Sequence, residues 1–283
     1  MPSPHLKWNE PNNLPDDDES MLRYRNNTAF IIIKCCVQGY KCLAPFEAAA
    51  QLHTMLPAKG EPGYDTGAGN RMLLEVILKV AGQIPHAHTG QDLLASLFKQ
   101  LLRSDRITLP PRVDHILEFY ENSLQIYFDF MAGVERFNPS HFDPGRFVQL
   151  RAFIARLCAN GSYDGHEWLI STMKTAFEDE DEEGKLVECY SGVLLGAAMF
   201  LIYAGQWVYR EIAQGEKKDR EEGQRQGVGK KYGGPVVGEE RWKFWRDGFD
   251  NALMKMTGVP RICVRNALVI MISLDSIFGK THE

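Results

Sequence analysis

The chain has 283 residues, 44% of them hydrophobic and 24% charged, with a formal net charge of -5. This is an ordinary globular composition, long enough for one large or two modest domains, and its acidic balance without a basic stripe argues against a nucleic-acid binder. Six cysteines (Cys35, Cys36, Cys42, Cys158, Cys189, Cys263) form no CxxC pair and MPSPHLKWNEPNN carries no apolar targeting core, so a reducing, cytoplasmic compartment is expected.

Residues 1–20, rich in Pro, Asn and Asp, read as a mobile arm. Leu22 to Gly39 mixes β-branched residues with a helical length, and its length assigns it to a helix. Pro45 starts a second helix over 46–55, and 57–69 is a loop punctuated by Gly60, Pro62 and Gly63. Met72, Leu73, Val76, Ile77 and Val80, then Leu93, Leu94, Leu97, Leu101 and Leu102, recur at three- and four-residue steps and predict two amphipathic helices. Pro110 and Pro111 open a long helix over 113–131.

Helices follow at 147–159 and 167–177, separated by the stop signal Asn160-Gly161-Ser162, with Asp164 capping the second. The acidic run Glu178 to Glu183 repels itself and reads as a solvated helix end and loop. Ser191 to Tyr209 holds nineteen residues without a charge. A spanning helix needs about 20 apolar residues, but Gln206 and three glycines dilute this run and the flanking charges set no orientation. A central helix of a core is the expectation, gripped by the face of Trp242, Trp245, Phe249, Ala252, Leu253 and Met256. Residues 215–238, charged and Gly-rich, form a flexible connector, and helices over 241–256 and 261–278 close the chain. No strand alternation appears. The reading is therefore an all-α, irregular multi-helix bundle of about eight to ten helices around the uncharged one, in a single domain over 21–283.

Chemistry-bearing groups are sparse. Asp16 to Glu19 and the 178–183 run lack the paired helical spacing of a Mg-binding aspartate site, and a solvated charge run accounts for both. His86-x-His88 lies in a loop with no third ligand at a diagnostic spacing, so surface histidines are expected, with no metal and no cofactor. His115 and Glu118 share a helical neighbourhood as a salt bridge. The richest cluster is His141, Asp143, Arg146, Arg151, Arg156, Asp164, His166 and Glu167. There an arginine would hold an anion while His166, Glu167, Asp164 or His141 moves a proton, or the same residues cap helices and bridge loops. Trp207, Trp242, Trp245 and Phe249 read as core packing, with an aromatic ligand or partner surface as the alternative.

The segments RAFIARLCANGSYDGHEWLISTMKTAFED (151–179), GAAMFLIYAGQWVYRE (196–211) and GGPVVGEERWKFWRDGF (233–249), in that order, resemble a family of fungal proteins of unknown function. Its members show an "AFxARL" helix, an "AAxWIxxAG" helix and a late "ERWxxWKxxF" segment. This chain has Gln149-Leu150-Arg151 for the family's Asn-Leu-Asn and Met199-Phe200 for its Gln-Trp. The resemblance implies a helical intracellular fungal protein, with relatives in specialised-metabolite gene clusters, and brings no catalytic residues. Three functions follow as expectations. The first is an accessory protein binding a protein partner or an apolar small molecule. The second is a cofactor-independent cyclase or isomerase of an apolar fungal metabolite, and the third a protein anchored in a membrane through 191–209. Partners are expected to include neither nucleic acid nor, on the first two readings, a membrane. Whether the chain is an enzyme stays open at this level.

Overall fold

The computed structural model describes residues 4–7, 18–38, 43–61, 68–104, 106, 143–179, 187–215 and 228–279. Among these are nine α-helices and no strand, so the fold is all-α. The chain divides into two compact units, Met1–Phe142 and Asp143–Glu283. The expected helix over 113–131, and the candidate residue His141, lie outside the described residues.

The first unit contains α1 (Asp18–Gln38), α2 (Pro45–Met55), α3 (Ala68–Ala81) and α4 (Gly90–Leu101). In α1, Ala29, Phe30, Ile33, Cys36 and Val37 are buried while Ile31 faces water. That three- and four-residue spacing is helical, and the tertiary core overrides the strand preference of Ile31-Ile32-Ile33. Pro45 occupies the first turn of α2, and the Glu47 carboxylate accepts the Ala44 N–H at 2.8 Å, satisfying a donor that the helix start leaves open. Gln91, fully buried, donates from Nε2 to the Ala81 and Ile84 carbonyls at 3.0 and 2.8 Å and so closes the end of α3. His88 departs from expectation. It is buried, not on the surface, and its Nδ1 accepts the Gly90 N–H at 2.9 Å at the start of α4.

The second unit contains α5 (Pro144–Ala159), α6 (His166–Met173) continued by a π-helical turn (Lys174–Glu178), α7 (Val187–Ile212), α8 (Glu239–Lys255) and α9 (Gly258–Phe278). Asp143 caps α5 by accepting the Arg146 N–H at 3.0 Å. The helix stops where Gly161 turns to a φ of +71°, which lets Gly161 N–H reach the Cys158 carbonyl and Ser162 N–H the Leu157 carbonyl at 3.1 and 2.9 Å. This is the Schellman arrangement, for which glycine has no Cβ penalty. Asp164 Oδ1 then accepts the His166 N–H at 3.2 Å and starts α6, as its position suggests.

Ser191–Ile212 is long and apolar enough to cross a membrane by length and composition, and 67% of its most apolar window is buried inside the protein. Its main partners are α5 and α9. The Trp242–Met256 face is not the principal grip expected of it; α8 meets α7 through Tyr209, whose ring stands edge-on to Trp242 at 5.0 Å. The close approach of α5 depends on Gly196, where an added Cβ would lie 2.5 Å from Phe147 Cε1 and 3.2 Å from Arg151 Cγ. Gly205 does the same for α9, with Ile270 Cγ2 2.7 Å from an added Cβ. The Gly-rich character of the run therefore serves packing between helices.

Candidate functional site

On α5, Arg151 is 2% exposed, although a guanidinium is costly to remove from water unless its charge and donors are met. Its central carbon lies 4.2 Å from the Phe147 ring centroid and 4.4 Å from that of Trp168, and Nε donates to Thr172 Oγ1 at 2.8 Å. Two aromatic faces and a hydroxyl thus hold the cation between α5 and α6. Arg156, also buried, sits 3.6 Å over the Tyr203 ring of α7 and donates from Nη1 to the Ala152 carbonyl at 3.2 Å. Both arginines act inside the helix packing.

The other expected acid and base groups are dispersed. Asp164 is exposed and spends an oxygen on the His166 N–H. His166 Nδ1 stands 3.7 Å from Glu211 Oε2 on α7, each side chain 34% exposed, and Glu167 is half-buried beside it. The structure brings Arg151 and Arg156 into the core and leaves Asp164, His166 and Glu167 at its border.

Under this border lie Cys158 and Tyr163, both buried. Burial pushes the Cys158 thiol up from 9.0 to about 12, with Asp164 and Glu211 adding to the rise against a backbone hydrogen bond at Gly165, and burial likewise raises the Tyr163 phenol. A thiol held neutral is a poor nucleophile. Alkylation of the folded chain at mildly alkaline pH is expected to mark exposed Cys35 well before Cys158, as peptide mass mapping would reveal. The same shift has a sign for stability. Between 9.0 and about 12 the folded state keeps a proton that the unfolded thiol has released. Its contribution is whole below 9.0 and falls as pH rises through that window, by up to about 1.4 kcal/mol per pH unit. Alkaline unfolding of Cys158→Ala beside the parent chain measures it.

A stronger polar centre lies at the head of the acidic run, where charge repulsion alone predicts only solvent. Glu178, the first residue of the acidic run, is fully buried. Its Oε1 accepts Arg241 Nε and Trp245 Nε1, both at 2.7 Å, and its Oε2 accepts Arg241 Nη2 and Gly229 N–H, both at 2.9 Å. Four donors fill the lone-pair directions of one carboxylate. Arg241, equally buried, forms the bidentate ion pair and turns Nη1 to the Val236 carbonyl, while Lys231 N–H reaches the Glu178 carbonyl at 2.8 Å. The chain returning from the 216–227 stretch is thereby tied to the end of the π-turn and to α8.

The backbone explains why Glu178 points inward. Asp179 N–H bonds to the Lys174 carbonyl, five residues back, at 2.9 Å, so the turn holds one residue more than an α-helix. The wider turn ends with Glu178 on the buried side, together with Ala176 and Phe177. Arg241 carried a sequence signal: 241, 245 and 249 are spaced four apart, so the Trp245 and Phe249 stripe, counted backward, ends on it. Trp242, Trp245 and Phe249 are themselves fully buried, which makes them core, the role that their helical spacing predicts. Phe249 packs edge-on against Phe177 at 4.7 Å, and Trp242 Nε1 donates to Asp275 Oδ1 at 2.7 Å. Trp207 alone of the four is half-buried.

The class defined by these features is an all-α protein whose second unit is organised by buried cations. The chain belongs to the family described as protein of unknown function (DUF3632), whose model matches residues 75–249, from within α3 to Phe249 of α8. The match includes Arg151, Arg156, Glu178 and Arg241 and stops short of α9. No curated protein and no solved structure matches the chain.

Proposed function

We propose that this chain is a non-catalytic accessory or binding protein of fungal specialised metabolism, cytoplasmic, holding a protein partner or an apolar small molecule. The observation that carries this reading is the use made of the residues a catalytic reading needs. Asp143 and Asp164 serve helix starts, Arg151 is clasped by Phe147 and Trp168, Arg156 lies on Tyr203, and Cys158 is neutralised by burial. General acid-base work requires such groups to converge within hydrogen-bond reach of one substrate atom, and here Asp143 and Asp164 cap helices while Arg151 and Arg156 are held in helix packing.

Deletion of the gene in a producing fungus, followed by comparison of small-molecule extracts, tests the proposal. Complementation by a chain carrying His166→Ala and Glu167→Ala is expected to restore the parental profile in full. Accumulation of a single unrearranged precursor in that complemented strain, with the variant folded and present at parental abundance, would overturn the reading in favour of a cyclase or isomerase using those residues.

A further inference from the structure

Helix α9 is apolar on two opposite sides, and among the described residues only one of the two is covered. Cys263, Val264, Ala267, Leu268, Met271 and Leu274 are buried, packed toward α7 and α8. Val259, Ile262, Val269, Ile272 and Ile277 are each more than half exposed, on a helix of 21 residues and so about 31 Å long. An exposed apolar patch of that extent marks a surface that rests against something. The intervening hydroxyls are suited to cover: Ser273 Oγ donates to the Val269 carbonyl and Ser276 Oγ to the Ser273 carbonyl, both at 2.8 Å, so neither needs water as acceptor.

Charge selects the occupant. The α9 sequence holds three charged residues, Arg261, Arg265 and Asp275. Both arginines are exposed, whereas Asp275 is drawn to α8, accepting from Trp242 at 2.7 Å and from Arg246 at 2.6 Å. A second copy would bring the same two arginines, and the one acid of α9 is already engaged by α8, so self-pairing through this helix supplies them no counter-charge. An anionic, planar, apolar-backed surface matches both parts: phosphate groups for the guanidinium forks and acyl chains for the aliphatic line. We infer that the outer face of α9 docks on an anionic lipid surface. The helix lies in the headgroup plane, separate from any spanning by α7. This goes beyond the binding reading above and uses none of its residues.

Flotation of the full chain with phosphatidylcholine vesicles, with and without phosphatidylserine, tests it. Binding is expected only to vesicles containing phosphatidylserine and is expected to weaken with added salt. Arg261→Ala with Arg265→Ala should lower partitioning roughly 25-fold, about fivefold for each arginine. Ile262→Asp with Ile272→Asp should abolish binding while circular dichroism and the unfolding midpoint stay parental, because both positions are exposed. Equal binding to both vesicle types, or binding to neither, overturns the inference. So does a concentration-dependent dimer in light scattering that the same aspartates dissolve, which would assign the face to a second copy. A parental metabolite profile in the complementation experiment leaves this result untouched, so the two proposals fail separately.

Discussion

Glu178→Ala is expected to lower the stability of the chain by about 3–5 kcal/mol, the loss that follows when one partner of a buried ion pair is removed and the other stays. Arg241 would remain at 0% exposure with its Nε and Nη2 donors facing a void, and Trp245 Nε1 and Gly229 N–H would lose their acceptor as well. Denaturant unfolding measures the loss as a fall in midpoint. Local consequences should accompany it. Because Gly229 N–H bonds to the Glu178 carboxylate and only the Lys231 bond to the main-chain carbonyl survives, limited proteolysis is expected to cut the variant near 228–238 where the parent resists. A companion variant separates charge from packing. Glu178→Leu with Arg241→Met removes both ions and fills the space, and should recover most of the stability, since paired replacement of a buried bridge by apolar groups is often neutral or better. Failure of that double variant to exceed Glu178→Ala would show that the ion pair is not the cause.

Trp242→Ala should cost a similar amount, about 3–5 kcal/mol, by leaving a large cavity beneath α7 and α9. The residue is fully buried, its ring meets Tyr209 edge-on at 5.0 Å, and its Nε1 bonds to Asp275. Trp242→Phe keeps most of the volume and removes only the N–H donor, so about 1–2 kcal/mol is expected. Thermal unfolding of the two variants orders them. The comparison bears on function, because a tryptophan that served a ligand would be lost with little change in unfolding, whereas a core anchor is paid back in stability alone.

Much of the fold could be read from the chain. Where apolar residues recur at three and four, as from Met72 to Val80 or at Leu93, Leu94, Leu97 and Leu101, α3 and α4 follow, because a helix buries whatever lies on one stripe. Caps were equally local: Asp143, Gly161 and Asp164 act within a few residues of their own positions. The candidate site was less legible. Arg151 and Arg156 were found by type and spacing, but not that their cations would rest on Phe147, Trp168 and Tyr203, since aromatic neighbours come from three helices. The polar loop around His88 predicts a surface residue, whereas the histidine is buried with its Nδ1 accepting the Gly90 N–H.

What the sequence by itself determined is the class: all-α among the described residues, with a central helix built on an uncharged run and an aromatic stripe on α8, because periodicity and capping are properties of short stretches. Only the tertiary structure decided which polar groups belong inside. Glu178 and Arg241 stand 63 residues apart, and a carboxylate at the head of EDEDEE is solvated by every local rule. A π-turn rotates it inward and four donors from 229, 241 and 245 receive it. Burial of a charge is settled by partners that converge in space, and the energy of that convergence is written in no single segment of the chain.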